Sequence, residues 1–389
     1  MIEKIKPACK NTDRDSLLMS LCATAKKGLA IFYSNDMSGL PYTIKLSNDR
    51  ACRLEGLSTR YAAISQIGIA TWLKFHSEDA TCLPDLWPRI VDNHHEITQI
   101  GDLALALWAG IESKASNSRL FADAMSAAWQ DQGYTCNAVE LAWVLQACTL
   151  ALHRDKDLQS YIEPLMEEAR DRLLSLFRPQ QSLFQRHNRP GFGQAISRRI
   201  ACFADQVYPI LALCTYGQLF EDNQCIEIAQ KAVERICLLQ GPLGQWWWHY
   251  DTEEGKICEE YPVFSVHQDA MGPMAILASD KLTGQNHSRE IERGLRWLWG
   301  QNELNECLVL YDAGIIWRDI EKRELAKISR SVRALLCVAN LKSLHTLAGR
   351  SFLGFRVNRE CRPYHLGWIL YAWADYDSRP NLPYPEQCE

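Results

Sequence analysis

The sequence predicts an all-α fold: an (α/α)6 barrel of about twelve helices in hairpins, with long loops at one end. Three observations predict it. Apolar residues recur at three- and four-residue spacing along nearly the whole chain. The connections between these segments divide into short and long ones. An internal echo is visible: 232–248 reads AVERICLLQGPLGQWWW and 294–303 reads GLRWLWGQNE. A regular repeat length, the mark of an open helical solenoid, is missing, which favours a closed ring.

The first helix is expected over 14–33, where Leu17, Leu18, Leu21, Ala25, Leu29 and Phe32 form one face. The second, over 59–76, carries Tyr61, Ile64, Ile67, Ile69, Trp72 and Leu73. The same period places helices over 97–113, 117–131, 137–153, 156–176, 198–219, 221–238, 264–281, 286–300, 326–345 and 364–375. Short links at 112–117, 132–137, 220–223 and 282–285 suit antiparallel neighbours in a hairpin. Long links at 34–58, 77–95, 178–196, 240–262 and 302–326 would lie together at the other end and hold function. No alternating run could build a sheet of any size, although 42–46 and 246–250 suit short extended pieces. With no linker in the middle, 1–376 reads as a single domain and 377–389, DSRPNLPYPEQCE, as a loosely held tail.

Composition removes several function classes. Of 389 residues, 47% are hydrophobic, enough for a large core. Lys+Arg number 42 against 47 Asp+Glu, and a net charge of −5 without a basic run argues against a nucleic-acid partner. No run of ~18 apolar residues suggests a membrane span. The start, MIEKIKPACKNTDRDS, lacks the apolar centre of a secretory leader. Fifteen cysteines without a CxxC pair read as free thiols in a reducing, cytoplasmic setting. No cofactor and no metal are expected. The one spacing a metal could use on a helix, Cys361 with His365, is interrupted by Pro363.

Chemistry concentrates in the long links. The segment 240–269 holds Trp246, Trp247 and Trp248, which alternate faces if extended, so that at least one meets solvent or substrate. Indole faces beside Asp251, Glu253, Glu254, Glu259 and Glu260 suit a sugar ring, whose C–H face stacks while its hydroxyls bond carboxylates. A turn at 253–255 would leave Glu253 and Glu254 solvated. Ser265 with Gln268 three residues on reads as a capping box. That leaves His267 and Asp269, in the first helical turn, as acid–base candidates. Tyr311, Asp312, Trp317, Arg318 and Asp319 crowd one later link, and Tyr364 with His365 opens the last helix. Arg186, Arg199 and Arg318 are candidates for bidentate binding of a substrate carboxylate. Asp205 is a second carboxylate for a hydrolase.

Two resemblances attach to these motifs. The helix–Gln–turn–Gly-x-Trp fragment resembles the signature of toroidal terpene cyclases and prenyltransferases, and it also recurs in toroidal sugar enzymes. The chain has neither a DxDD acid motif nor a DDxxD magnesium motif. EEYP at 259–262, LVLYDAG at 308–314 and Tyr364–His365 resemble the C-terminal α/α-barrel domain of D-glucuronyl C5-epimerases. This resemblance covers about the last third of the chain. It implies proton transfer at sugar C5 by Glu260, Tyr261, Tyr311 and Tyr364. The chain is helical from its start and lacks that family's β-rich N-terminal domain. The resemblance therefore extends to toroidal sugar-modifying enzymes broadly, unsaturated uronyl hydrolases and sugar epimerases among them.

The expectation is a carbohydrate-active enzyme acting on an acidic, uronate-containing sugar or oligosaccharide by epimerisation, elimination or hydrolysis. Its catalytic candidates are Glu260, Tyr261, His267, Asp269, Tyr311 and Tyr364. Its binding candidates are Trp246, Trp247, Trp248, Arg186, Arg199, Asp205, Arg318 and His365. The alternatives are an isoprenoid-processing toroid and a non-catalytic glycan-binding toroid.

Overall fold

Alternation of inner and outer helices closes the chain on itself. The computed structural model describes residues 14–34, 40–46, 52–154, 158–191, 194–323 and 354–376. The inner ring consists of α2 (Thr59–Trp72), α4 (Ile100–Glu112), α6 (Ala138–Arg154), α9 (Ala204–Phe220), α11 (Gly272–Thr283) and α13 (Pro363–Trp373). Each packs on the next, and α13 returns to α2. Outside lie α1 (Arg14–Phe32), α3 (Trp87–Asp92), α5 (Arg119–Gln132), α7 (Gln159–Ser175), α10 (Asn223–Leu238) and α12 (Ser288–Leu298). A further short helix, α8 (Ala195–Arg199), sits in the link before α9. This is the (α/α)6 toroid that the periodicity predicts.

The link at 77–95 is not a structureless loop. It holds α3, the second outer helix, whose six residues are too few to display a period. The helix expected over 326–345 and the tail at 377–389 lie outside the described residues.

Aromatic side chains fill the centre of the ring. Trp143, Tyr208, Trp368, Trp108 and Tyr371 form a chain of ring contacts with centroids 5.3–5.8 Å apart. Trp108 and Trp368 are fully buried. The toroid is therefore packed across its waist. The α2–α13 seam closes backbone to backbone, since a Cβ at Gly68 would overlap the Gly367 carbonyl. Only glycine permits that approach.

The inner helices begin at one end, and the long links gather there as small sheets. Strands β1 (Pro41–Leu46) and β2 (Cys52–Leu57) form a hairpin, with β13 (Glu360–Cys361) along β1. Strand β5 (Ile200–Cys202) pairs with β6 (His249–Asp251), which pairs with β7 (Lys256–Glu259). Strand β11 (Asp319–Lys322) lies between β8 (Val263–Phe264) and β12 (Phe355–Asn358). Two-strand pairs join β3 (Phe177–Arg178) to β4 (Leu183–Phe184) and β9 (Val309–Leu310) to β10 (Ile315–Ile316). The extended pieces expected near 42–46 and 246–250 correspond to β1 and β6. The remaining strands are two to six residues long, too short for a visible alternation.

The echo at 232–248 and 294–303 proves to be one tie. Gln245 donates to the Glu303 carboxylate at 2.8 Å, and the Trp297 indole donates to its other oxygen at 3.0 Å. Gln240 donates to the Gly244 and Glu290 carbonyls, binding this turn to α12. The Gln…Gly-x-Trp fragment thus fastens a loop to an outer helix, an architectural role independent of reaction.

Candidate active site

The starts of the inner helices carry polar and aromatic side chains that face one another. Tyr61, at the start of α2, stacks on Tyr42 of β1, with centroids 5.2 Å apart and planes 7° from parallel. Its other side meets Tyr364, at the start of α13, at 4.5 Å. The Arg362 guanidinium lies 3.8 Å from the centre of the Tyr42 ring. Arg362 is buried and donates to Glu360 at 2.6 Å, while its Nε and Nη1 have no hydrogen-bond partner among the described residues. Arg318 reaches the same Glu360 oxygen at 3.0 Å and covers the Phe264 ring at 5.4 Å. Desolvation opposes ionisation of Glu360, but these two guanidinium groups hold its carboxyl below the usual range.

Asp319 completes this side. Its Cα stands opposite Phe264 on β8 and Asn358 on β12, so the three side chains share one face of the sheet. Asn358 donates to Oδ2 at 3.1 Å, and Oδ1 is buried without a hydrogen bond. Burial pushes the Asp319 carboxyl up to about 7, with Arg318 opposing, so the group exchanges its proton near neutrality.

Histidines line the opposite side. His249 lies 2.9 Å from Glu259 on the neighbouring strand and stacks on Trp248 at 4.2 Å. Trp248 meets the edge of Phe264 at 5.6 Å, and His267 meets the same ring at 5.1 Å. Phe264 is therefore the hinge between the arginine side and the histidine side. Burial pushes the His267 imidazole down to about 3, so it is neutral at any working pH. Its Nδ1 has no hydrogen-bond partner among the described residues.

A cavity of about 590 Å³ opens behind the tyrosine pair, lined by Tyr42, Leu57, Arg60, Tyr61, Glu96 and Asp102 among others. Among the described residues no group of three His, Cys, Asp or Glu side chains could hold a metal ion. No helix among them is long and apolar enough to cross a membrane.

The chain shares its toroid with unsaturated glucuronyl hydrolases. Similar solved structures include the enzyme responsible for glycosaminoglycan degradation from Bacillus sp. GL1, with 12% identity over 93% of this chain and 96% of that one, TM-score 0.54. Another is a glycosyl hydrolase family 88 protein from Bacteroides vulgatus, 11% identical over 93% and 98%, TM-score 0.58. A third is a substituted unsaturated glucuronyl hydrolase from Streptococcus agalactiae complexed with dGlcA-GalNAc6S, 10% identical over 93% and 90%, TM-score 0.56. At such identities the likeness is one of fold. No family model matches the chain, and no curated protein sequence matches it.

The residues singled out in the sequence divide sharply. Tyr364, Arg318, Trp248 and His267 meet at the mouth. Asp269 and His365 meet below it. Both oxygens of the fully buried Asp269 lie 2.7 and 2.9 Å from His365 Nε2, and the Trp373 indole donates to the Asp269 carbonyl. That pair clamps the starts of the last two inner helices together, and its geometry leaves no room for substrate at the carboxylate.

Other candidates are engaged elsewhere. Trp246 is fully buried against Phe203, and Trp247 is buried edge-on against Tyr261, so neither offers a face to a ligand. Tyr261 donates to Glu303 at 2.7 Å, and burial together with that carboxylate pushes its phenol far up, which removes it as a base. Glu260, beside it in the same loop, is exposed. Tyr311 is half-exposed beside α1, with the Lys27 ammonium 5.7 Å from its ring centre. Thus the stretches behind the epimerase resemblance do not converge.

Arg199 is already held by Asp251 at 2.6 and 2.7 Å, with Glu253 and Glu254 nearby, so it is not free for a substrate carboxylate. Asp205 accepts the Cys202 amide at 2.8 Å from a buried position, and burial raises its carboxyl. Arg186 is exposed within electrostatic range of it. Ser265 and Gln268 form no capping box. Ser265 donates to the Trp317 carbonyl at 2.6 Å, Gln268 accepts the Trp246 amide at 3.1 Å, and a π-helical turn (His267–Met271) opens α11. Cys361 is buried in β13, outside any group of three metal-ligating side chains among the described residues.

Asp319, Arg362 and Tyr42 are central here yet absent from the candidates drawn from sequence. Asp319 stood in the crowded link, but nothing in one dimension shows that Phe264 and Asn358 would bury it.

Proposed function

We propose that the protein hydrolyses uronate-containing oligosaccharides at the mouth of the toroid, with Asp319 as proton donor. The observation that carries this reading is the buried, half-unpartnered Asp319 carboxyl, poised near neutrality beside the Arg318 guanidinium. A glycosidase needs a carboxylic acid still protonated at working pH. An acidic sugar needs cationic donors in a site that excludes water. Arg362, with two unpartnered donors, and Arg318 would hold the uronate carboxylate. Tyr364 and Trp248 would flank the ring, and His249, oriented by Glu259, would accept a proton from the attacking water. The likeness to glucuronyl hydrolases, one of them complexed with a dGlcA-containing disaccharide, supports this substrate class.

The test is turnover of unsaturated glucuronyl disaccharides, read as loss of the ultraviolet absorbance of the conjugated double bond. Intact wild-type protein that leaves the absorbance unchanged from mildly acidic to mildly alkaline pH sinks the reading. A second reading, proton exchange at C5, is favoured by the Tyr61–Tyr364 contact alone. Deuterium incorporation at C5 without chain cleavage would select it. Cysteines buried singly in the packed ring, Cys148 and Cys214 among them, support a reducing, cytoplasmic setting. Closure of α13 onto α2 supports a single domain reaching residue 376.

A further inference from the structure

We infer that Tyr208 is a specificity-determining residue for the proposed reaction, its hydroxyl donating from the floor of the mouth to a sugar hydroxyl on C2 or C3. The inference rests on the hydrolase reading for the sugar and the way it is held. The floor itself stands on its geometry. Three aromatic side chains build it. Trp143, Tyr208 and Trp368 are the sixth, fifth and sixth residues of α6, α9 and α13, whereas Tyr61 and Tyr364 are the third and second of α2 and α13. The floor therefore lies about one helical turn, roughly 5 Å, below the tyrosine pair of the mouth. Tyr208 stands between the two indoles, 5.3 Å from Trp143 at 71° and 5.8 Å from Trp368 at 53°. Trp108, the ninth residue of α4, is fully buried against Trp368 beneath this layer.

The floor carries donors that the protein does not use. The indole nitrogens of Trp143 and Trp368 are buried and have no hydrogen-bond partner among the described residues. The ionisable neighbours of the Tyr208 hydroxyl are Tyr364, Cys202 and Tyr61, so it is directed at the mouth and not down the bore. Burial pushes its phenol far up, Tyr364 adding to this, while the nearby Trp368 N–H opposes without closing a hydrogen bond. The phenol therefore keeps its proton, and donates, at every working pH. A pyranose held at Arg362 by the carboxylate on C5 presents C2 and C3 at the opposite edge of its ring. A hydroxyl there accepts from Tyr208. A bare CH2 leaves that O–H desolvated and unpaired, which is the stronger ground for discrimination.

Calorimetry on the full chain tests this with glucuronate and its 2-deoxy and 3-deoxy analogues. The variant is Tyr208→Phe, which keeps both ring contacts and removes only the hydroxyl. Wild type should bind one of the two analogues about tenfold more weakly than glucuronate. Tyr208→Phe should bind glucuronate about tenfold more weakly than wild type does, and should no longer distinguish that analogue from it. Its urea midpoint should match that of wild type. Deoxygenation that costs the same in both proteins overturns the inference. So does a lowered midpoint with glucuronate affinity unchanged, which makes Tyr208 structural. Discrimination that vanishes in the variant while wild type turns over no unsaturated disaccharide upholds the floor and sinks the hydrolase reading. Failure of glucuronate to bind wild type sinks both.

Discussion

Replacing Asp319 by Asn should make the protein more stable at alkaline pH while abolishing most of its turnover. Burial raises the carboxyl from its ordinary 3.8 to about 7 in the folded chain. The folded state therefore retains a proton that the unfolded state releases. Stability contributed by this group is full below about pH 4 and falls as pH rises towards 7. Beyond that it is constant, at an upper-bound cost of ~4 kcal/mol for some three pH units. Asparagine cannot ionise, and its side-chain oxygen still accepts the hydrogen bond from Asn358. Urea unfolding of both proteins should give similar midpoints near pH 4 and a variant more stable by up to ~4 kcal/mol above about pH 8. Turnover should fall by about 10²–10⁴-fold, the usual contribution of a positioned general acid. In the wild type the acidic limb should persist up to neutrality and activity should decline as pH rises through about 7. Stability curves that run parallel across the whole range would refute the burial argument. Turnover within about threefold of wild type would refute the catalytic one.

Other substitutions separate architecture from chemistry. Arg362→Ala should raise KM for a uronate substrate by about tenfold or more while leaving neutral-sugar binding weak and unchanged, measured by steady-state kinetics and calorimetry. Asp269→Asn should cost about 1–3 kcal/mol in urea unfolding, because one of the two buried oxygens that face His365 becomes an amide nitrogen. If the variant instead loses turnover at unchanged stability, Asp269 belongs to the reaction and not to the clamp. Trp246→Ala should cost about 3–5 kcal/mol as a core cavity. Trp248→Ala should leave the unfolding midpoint nearly fixed and weaken saccharide binding instead. Tyr311→Phe should change neither turnover nor stability measurably, since its ring faces α1 and Lys27.

Helix periodicity made the toroid legible, because long amphipathic helices write their inward faces at fixed spacing. Eleven of the twelve expected segments correspond to described helices, and the short α3 escaped because six residues show no period. The site was legible in its neighbourhood and less so in its members. Tyr364, Arg318, Trp248 and His267 came from crowded links and do meet. Glu260, Tyr261 and Tyr311 sit in the same kind of link and do not, because a loop has two sides and local sequence does not say which one faces the ring. The triple tryptophan shows the same limit: three consecutive aromatics meet three environments, and of the three Trp248 alone is partly exposed.

What decides membership in the site is cross-strand register. Phe264, Asp319 and Asn358 lie far apart in the chain, yet they occupy adjacent places on one small sheet. That register buries Asp319 without satisfying it, places Arg318 over Phe264, and brings Trp248 and His267 to the same ring. A rigid helical ring alone would supply only a plugged cylinder. The short strands grafted onto its helix starts build the chemistry, and two to six residues of pairing per strand are too few to announce themselves before the chain is folded.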